Sequence, residues 1–279
     1  MQPGRPSLTA LSAARLRAAH QVLDNASILA DPLAVRILGD DIQVSIDHAR
    51  AHGSGPRLRW FIAARSRIAE EALNEAVNAG ATQLVVLGAG LDTLAYRTPL
   101  AGRLQIFEVD YPATQARKRE MLTKAGIAVP KTLTYVGVDF EQQTLADALD
   151  TAGFSAAERS FFSWLGVVPY LTEAAVFGTL GYIAQLPGDA EVVFDYVNPA
   201  ASIAPEGRAA NEALAERVAA VGERFQGYFD TAQLCAKMSS TGFRRVDDIG
   251  PERIAARFFP ESERTAPTRG GHVMHASTV

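Results

Sequence analysis

Glycine or aspartate directly follows three apolar, β-branched runs of the 279-residue chain. Gly88 and Gly90 follow QLVVL, Asp110 ends RLQIFEVD, and Asp139 ends TLTYVGVD. Because ligands of open α/β sheets bind at the carboxyl ends of the strands, these residues are predicted to border one crevice. Glycine lets the backbone approach a ligand closely, and an aspartate about 20 residues further on can accept hydrogen bonds from ribose hydroxyls.

The same residues predict a site for an adenosyl group. Asp110 would accept from the ribose hydroxyls, and Asp139 from the adenine amine while the backbone N–H of Phe140 reaches a ring nitrogen. Simpler alternatives are a tight strand-to-helix turn for the glycines and helix caps for the two aspartates. Thr93 occupies the third glycine position of the G-x-G-x-x-G fingerprint, which disfavours a dinucleotide.

Alternating strand and helix patterns must position these residues. Apolar residues at helical spacing predict a helix from Leu58 to Gly80 that carries Arg65 and Arg67. Five strands are predicted before Asn198, followed by helices near 206–222 and 230–240 and two final strands near 243–249 and 272–279. The pattern predicts an α/β fold with a doubly wound, mostly parallel, seven-stranded sheet. Residues 1–80 would form a helical layer over the active site, and residues 81–279 a Rossmann-like domain with a helical insertion at about 198–240.

Composition narrows the classes of function. The chain has 27 Lys and Arg against 31 Asp and Glu, so it lacks the basic surplus typical of nucleic-acid binding. It has no run of 18 apolar residues and no signal-like N-terminus, so no membrane partner is expected. The single cysteine, Cys235, suits a reducing compartment, and a cytoplasmic location is predicted. His48 and His52 lack a carboxylate in metal-ligand register, and no metal site is predicted.

Several collinear motifs resemble the leucine carboxyl methyltransferase family. They are DPLAVRILG, AARSR, LVVLGAGLDTLAYR, FEVDYPATQARKR, VGVDF and VVPYLT, and together they span roughly residues 12–172. The resemblance implies a class I methyltransferase fold with S-adenosyl-L-methionine as methyl donor.

The resemblance also implies roles for six cofactor-binding residues. They are Arg65 for the methionine carboxylate, Gly88 and Gly90 for the aminoacyl part, Asp110 for the ribose, and Asp139 with Phe140 for the adenine. A guanidinium can grip a carboxylate through two parallel hydrogen bonds, although an ion-paired or solvated helix arginine is the alternative for Arg65. Leu165 departs from the family, since many relatives carry a cofactor-facing glutamate at that point.

The acceptor is predicted to be a carboxylate or hydroxyl of a small molecule, with a protein C-terminal carboxylate as a further option. A carboxylate is ionised at neutral pH and needs no base, whereas a hydroxyl needs one, for which His20 is the candidate. Arg17 and Tyr228 are candidates for acceptor binding, from the N-terminal helix and the segment 198–229. A plain surface helix and aromatic core packing are the respective alternatives.

The sequence alone is also compatible with two other classes of function. The strand, glycine loop and Asp110 would also suit an NAD-dependent oxidoreductase, against which Thr93 argues. A non-catalytic cofactor-binding protein would be consistent with Leu165 in place of the glutamate.

Overall fold

The computed structural model describes residues 7–51, 55–138, 143–203, 208, 212–213, 215–216, 219, 224–264 and 270–279. Within these residues the helices are α1 (Leu8–Leu23), α2 (Leu33–Arg36), α3 (Ile42–Ala51), α4 (Arg57–Asn78), α5 (Leu94–Arg97), α6 (Pro112–Lys124), α7 (Leu145–Thr151), α8 (Glu173–Ala184), α9 (Thr231–Thr241) and α10 (Pro251–Phe258). The strands are β1 (Gln83–Leu87), β2 (Gln105–Asp110), β3 (Leu133–Gly137), β4 (Ser160–Trp164), β5 (Ala190–Tyr196), β6 (Arg245–Ile249) and β7 (His272–Ser277).

The seven strands form one sheet in the order β3-β2-β1-β4-β5-β7-β6. The first five are parallel, and β7 runs antiparallel to both β5 and β6. This confirms the predicted doubly wound, mostly parallel sheet and its N-terminal helices. The chain leaves β1 toward β2 and β3 on one side and returns to β4 and β5 on the other. A crevice therefore opens between the carboxyl ends of β1 and β4, at the topological switch point.

Helices cover both faces of the sheet, which explains the uninterrupted apolar runs of the central strands. Every residue of β1, β4 and β5 is buried. One face packs against α7, α8 and α9 through residues such as Leu149, Leu180 and Met238. The other face packs against α4, whose small residues, among them Ala69 and Ala76, let the helix lie close to the strands.

The N-terminal helices are tied to α4 through one partly buried carboxylate. Asp24 follows α1 and accepts hydrogen bonds from Arg59 Nε and Nη2 at 2.7 and 2.8 Å and from Trp60 Nε1 at 2.9 Å. The Nδ1 of His20 lies 2.8 Å from the same carboxylate. Burial raises the pKa of Asp24, but the hydrogen bonds from Arg59, His20 and Trp60 outweigh that effect and hold the pKa below its usual range. The ionised carboxylate thus stabilises the docking of α1 on α4.

Element boundaries differ from the sequence predictions where glycines or turns intervene. The strand predicted over 159–168 ends at Trp164, because Gly166 takes a φ of +74° and turns the chain. The helix predicted near 206–222 lies largely outside the described residues. The helix predicted near 230–240 is present as α9, which begins at Thr231 because Asp230 caps it. The described part of the chain contains no helix with the length and hydropathy that crossing a bilayer requires.

Candidate cofactor and acceptor site

A cavity of ≈ 750 Å³ lies at the carboxyl ends of β1 and β4. Its lining includes the glycine loop after β1, the end of β2, the turn after β4, and side chains of α1 and α4. This volume falls within the range of pockets that bind small molecules and cofactors. The crevice predicted from the strand ends is therefore present as a cavity.

The glycine loop is bent sharply against the strands. Gly88 and Gly90 have φ values of +65° and +42°, a region that L side chains rarely adopt. The N–H groups of Gly88 and Ala89 both donate to the carbonyl of Val109, at 2.8 and 3.1 Å. A Cβ at Gly88 would collide with the side chain of Val167. The glycines are thus required by the bend of the loop and by the close approach of the turn after β4.

Asp110 presents a buried carboxylate at the edge of the cavity. Its Oδ2 accepts from the N–H of Gly90 at 2.5 Å, and its Oδ1 from the N–H of Tyr111 at 2.7 Å. Burial raises the pKa of Asp110, against the opposing effect of these two N–H groups and of Lys118. Helix α6 begins after Tyr111 with no side-chain cap, so the structure does not support the capping alternative for Asp110.

Arg65 projects from α4 into the cavity and pairs with a carboxylate that sequence reasoning missed. Its Nη1 lies 2.7 Å from Oδ2 of Asp195, which ends the apolar run of β5 and is itself buried. The Nε of Arg65 is buried and has no hydrogen-bond partner. A single aspartate in the otherwise uncharged run VVFDYV was the available signal for Asp195, since a buried charge must be paired.

The turn after β4 brings these groups together. The N–H of Gly166 donates to Oδ1 of Asp195 at 2.5 Å, and a Cβ at Gly166 would lie 2.8 Å from Nη2 of Arg65. Leu165 lines the cavity, so the position of the family glutamate carries no carboxylate. Asp195 brings a carboxylate to the same turn from the neighbouring strand.

The described residues fit an S-adenosyl-L-methionine site. A carboxylate has about four lone-pair positions, and two at Asp110 are used by backbone N–H groups, so others can accept ribose hydroxyls. Arg65 retains donors beyond the one that meets Asp195, including the unpartnered Nε. Thr114 lines the cavity with a buried hydroxyl that also has no partner. Asp139 and Phe140 lie outside the described residues.

His20 does not reach the cavity, which corrects its prediction as a base. Its side chain, which projects from α1, is fully buried, and its Nδ1 is hydrogen-bonded to the carboxylate of Asp24. Its Nε2 accepts from the N–H groups of Ile28 and Leu29, both at 3.3 Å. Both ring nitrogens are therefore committed to the fold.

The two predicted acceptor-binding residues also differ from expectation. Arg17 lines the cavity, but its guanidinium is engaged by the carbonyl of Leu91 at 2.6 Å and the carboxylate of Asp31 at 3.0 Å. Tyr228 is 43% exposed and is not among the lining residues. Phe225 does line the cavity, whereas Phe229 belongs to the core, so only one of the three aromatic residues of that segment faces the site.

Apart from the residues predicted to bind the cofactor, many side chains that line the cavity are apolar. This apolar lining comprises Leu58, Phe61, Ile62, Leu165, Val197, Phe225, Ile254 and Phe259. The contribution of α10, Phe259 and Gly271 was not predicted, because it depends on contacts between chain ends that no local pattern encodes. The ring of Phe61 packs so closely on Gly271 that a Cβ there would collide with it.

The doubly wound sheet has the fold of class I methyltransferases, and sequence comparisons identify the protein as an S-adenosyl-L-methionine-dependent methyltransferase. The sequence profile of leucine carboxyl methyltransferase matches residues 10–184, more than half of the chain, and the protein belongs to that family. A Bacillus subtilis (strain 168) protein named as an S-adenosyl-L-methionine-dependent methyltransferase, YktD, is 30% identical over 286 residues and 93% of each chain. A similarly named Mycobacterium bovis protein (strain BCG / Pasteur 1173P2) is 28% identical over 97% of this chain and 82% of its own.

Comparison of structures supports the same fold. A Bordetella parapertussis protein described as a possible exported protein superposes with a TM-score of 0.50 at 13% identity, over 99% of both chains. Identity this low speaks for the fold alone. The family and its relatives give no support to an oxidoreductase or to a non-catalytic cofactor-binding protein.

Proposed function

We propose that the protein methylates a carboxylate oxygen of a small, largely apolar acid. One observation carries this proposal: among the described lining residues many are apolar and none is a free base. None of these residues is a histidine, lysine or cysteine. The carboxylates of Asp195 and Glu263 are paired with Arg65 and Arg57, at 2.7 and 2.9 Å, and those of Asp92 and Asp110 accept backbone N–H groups.

The chemistry of the donor explains why a base matters. S-adenosyl-L-methionine, when bound, supplies an electrophilic methyl group that an oxygen lone pair can take directly. A hydroxyl acceptor must lose a proton to a base, whereas a carboxylate, with a pKa near 4, is already ionised at neutral pH. The task left to the protein is to align the acceptor and exclude water. A cavity without a free base therefore favours a carboxylate.

Charge pairing in the cavity points to the residue that would bind the acid. Each described basic residue of the lining has an acidic partner except Arg224, which is exposed and has none among the residues that the structure describes. Arg224 directly precedes Phe225 of the apolar lining. We therefore assign Arg224 the acceptor carboxylate and the apolar side chains the rest of the acceptor, in place of the roles predicted for Arg17 and Tyr228.

In this proposal the cofactor is held by Arg65, Gly88, Gly90 and Asp110. Asp110 fixes the glycine loop through Gly90 and accepts the ribose hydroxyls. Arg65, oriented by Asp195, binds the carboxylate of the methionine part. The four residues act by binding and orientation, and none is required to exchange a proton.

The test uses matched pairs of acids and alcohols with methyl-labelled S-adenosyl-L-methionine. Octanoic acid with octanol, and 3-phenylpropanoic acid with its alcohol, serve as probes. We expect label only in the acids, released by mild alkali as methanol because the product is an ester. Labelled alcohols, alkali-stable label, or no label in either acid would contradict the proposal.

A variant of Arg224 tests the assigned acid-binding residue. Arg224→Gln removes the charge-assisted hydrogen bonds, so the KM for the labelled acid should rise about tenfold or more while the KM for S-adenosyl-L-methionine stays unchanged. The control is Arg245→Gln, which removes an exposed arginine of β6 that does not line the cavity. Equal KM values in the two variants would remove Arg224 from the site.

A further inference from the structure

Two sequence motifs that are far apart in the chain meet in a buried cluster beside the cofactor loop. Asp31, the first residue of DPLAVRILG, has no exposed surface. Its Oδ2 accepts from the hydroxyl of Thr93 at 2.5 Å and lies 3.0 Å from Nε of Arg17. Its Oδ1 accepts from the N–H of Leu33 at 3.1 Å and lies 3.4 Å from Nε of Arg97. One carboxylate of the N-terminal layer thus joins α1, α2 and the segment after β1.

The cluster holds the glycine loop at other atoms than Asp110 does. Arg17, besides pairing with Asp31, donates to the carbonyl of Leu91 at 2.6 Å. Asp110 fixes the loop at the N–H of Gly90, whereas the N-terminal layer fixes it at Leu91 and Thr93. The conformation of residues 88–93 therefore depends on two separate carboxylates.

Burial makes this dependence strict. Arg17 is 6% exposed and Asp31 is fully buried, and a charge left unpaired at such depth is strongly disfavoured. The charges are satisfied only when the N-terminal layer is docked and the loop lies in the observed position. Helix α1 also borders the loop directly, since a Cβ at Gly90 would lie 3.2 Å from the Cβ of Ala10.

We propose that Asp31 is a positioning residue for the cofactor site. It acts through Thr93 and Arg17, without contacting the cofactor, by fixing the loop that carries Gly88 and Gly90. The DPLA motif of the N-terminal layer thereby contributes to cofactor affinity. This inference does not depend on the identity of the acceptor.

The test is Asp31→Asn, which keeps the size of the side chain but removes the charge that Arg17 and Arg97 meet. We expect the Kd for S-adenosylhomocysteine, measured by calorimetry at 25 °C, to rise about tenfold, the size of a typical coupling between sites. Amide hydrogen exchange should accelerate in residues 89–94 of the folded, ligand-free protein. The matched control is Asp40→Asn. It breaks the exposed ion pair, at 3.2 Å, between Asp40 and Arg15, which lies on α1 as Arg17 does.

Thr93→Val provides a milder second variant. It is nearly isosteric and removes the hydroxyl that donates to Asp31 at 2.5 Å and accepts from Nε of Arg97 at 3.3 Å, so the fold should be kept. Because the charge of Asp31 remains, the Kd should rise about threefold, less than in Asp31→Asn. If Asp31→Asn does not fold, this variant decides. A lowered Tm with an unchanged Kd in the folded variants would show that the cluster only stabilises the protein, and would overturn the proposal. No acceptor is present in either measurement, so failure of the carboxylate proposal would leave these results unaffected.

Discussion

Replacing Asp110 by alanine or asparagine tests how the ribose is bound. A side chain that only accepted ribose hydroxyls would tolerate asparagine better than alanine. In the structure, however, each carboxylate oxygen accepts a backbone N–H, from Gly90 and from Tyr111. Asparagine must direct its own N–H₂ group at one of these donors, so Asp110→Asn should lose the charge and also disturb the loop.

The magnitude follows from the hydrogen bonds involved. Bonds to a charged group contribute about 1.5–3 kcal/mol, so the Kd for S-adenosylhomocysteine should rise roughly tenfold to a hundredfold in Asp110→Ala. We expect a comparable rise in Asp110→Asn. The assay is calorimetry at 25 °C, with Asp150→Asn as the control, because Asp150 is exposed on α7, which lies outside the cavity lining. An Asp110→Asn protein that binds the ligand like wild type would refute the reasoning, even if its Tm fell.

Three further predictions concern charged groups of the site and the N-terminal layer. The pKa of Asp110 is raised above 3.8, and binding of the ribose requires the ionised carboxylate. Affinity for S-adenosylhomocysteine should therefore fall as the pH decreases toward that raised pKa. An Asp110→Asn protein with the same pH profile would contradict this prediction. Arg65→Lys keeps the charge but not the fork, so the Kd for S-adenosylhomocysteine should rise about tenfold while that for adenosine, which lacks the carboxylate, stays constant; parallel losses for both ligands would assign Arg65 to the fold. Asp24→Asn leaves Arg59 buried without its partner and should lower the free energy of unfolding in urea by about 3 kcal/mol at pH 7. Because the pKa of Asp24 is depressed in the folded protein, its contribution to the free energy of unfolding is complete above pH 3.8 and is lost as the pH falls through the lower folded pKa. The free energies of unfolding of wild type and variant should therefore converge in acid. A constant difference across this pH range would contradict the assignment.

The meeting of the glycine loop with Asp110 could be predicted because the positions of these residues follow from strand order. Glycines after β1 and an aspartate at the end of β2 must meet when parallel strands are adjacent, and the structure brings Gly90 and Asp110 into direct contact. The fold class followed from the same alternation of strands and helices. Ion pairs between residues far apart in the sequence were harder to predict. An example is Asp195, whose pairing with Arg65 joins β5 to α4.

His20 shows why the N-terminal layer was harder to predict. Its position on an amphipathic helix was compatible with a cavity-facing base, but helix periodicity does not reveal what packs over each face. In the structure Asp24 and the segment around Ile28 fold back over the ring. The contribution of Ile254 and Phe259 to the cavity lining was missed for a related reason, since the late strands of the sheet bring them there.

A crystal structure of the complex with S-adenosylhomocysteine would show directly whether Asp110 and Arg65 bind the cofactor. We expect both ribose hydroxyls within hydrogen-bond distance of Asp110 and the carboxylate of the ligand on Arg65. The thioether sulfur should face the apolar lining at Phe61 and Phe225. A ligand whose ribose lies away from Asp110, or whose sulfur points away from these two rings, would contradict the proposed site.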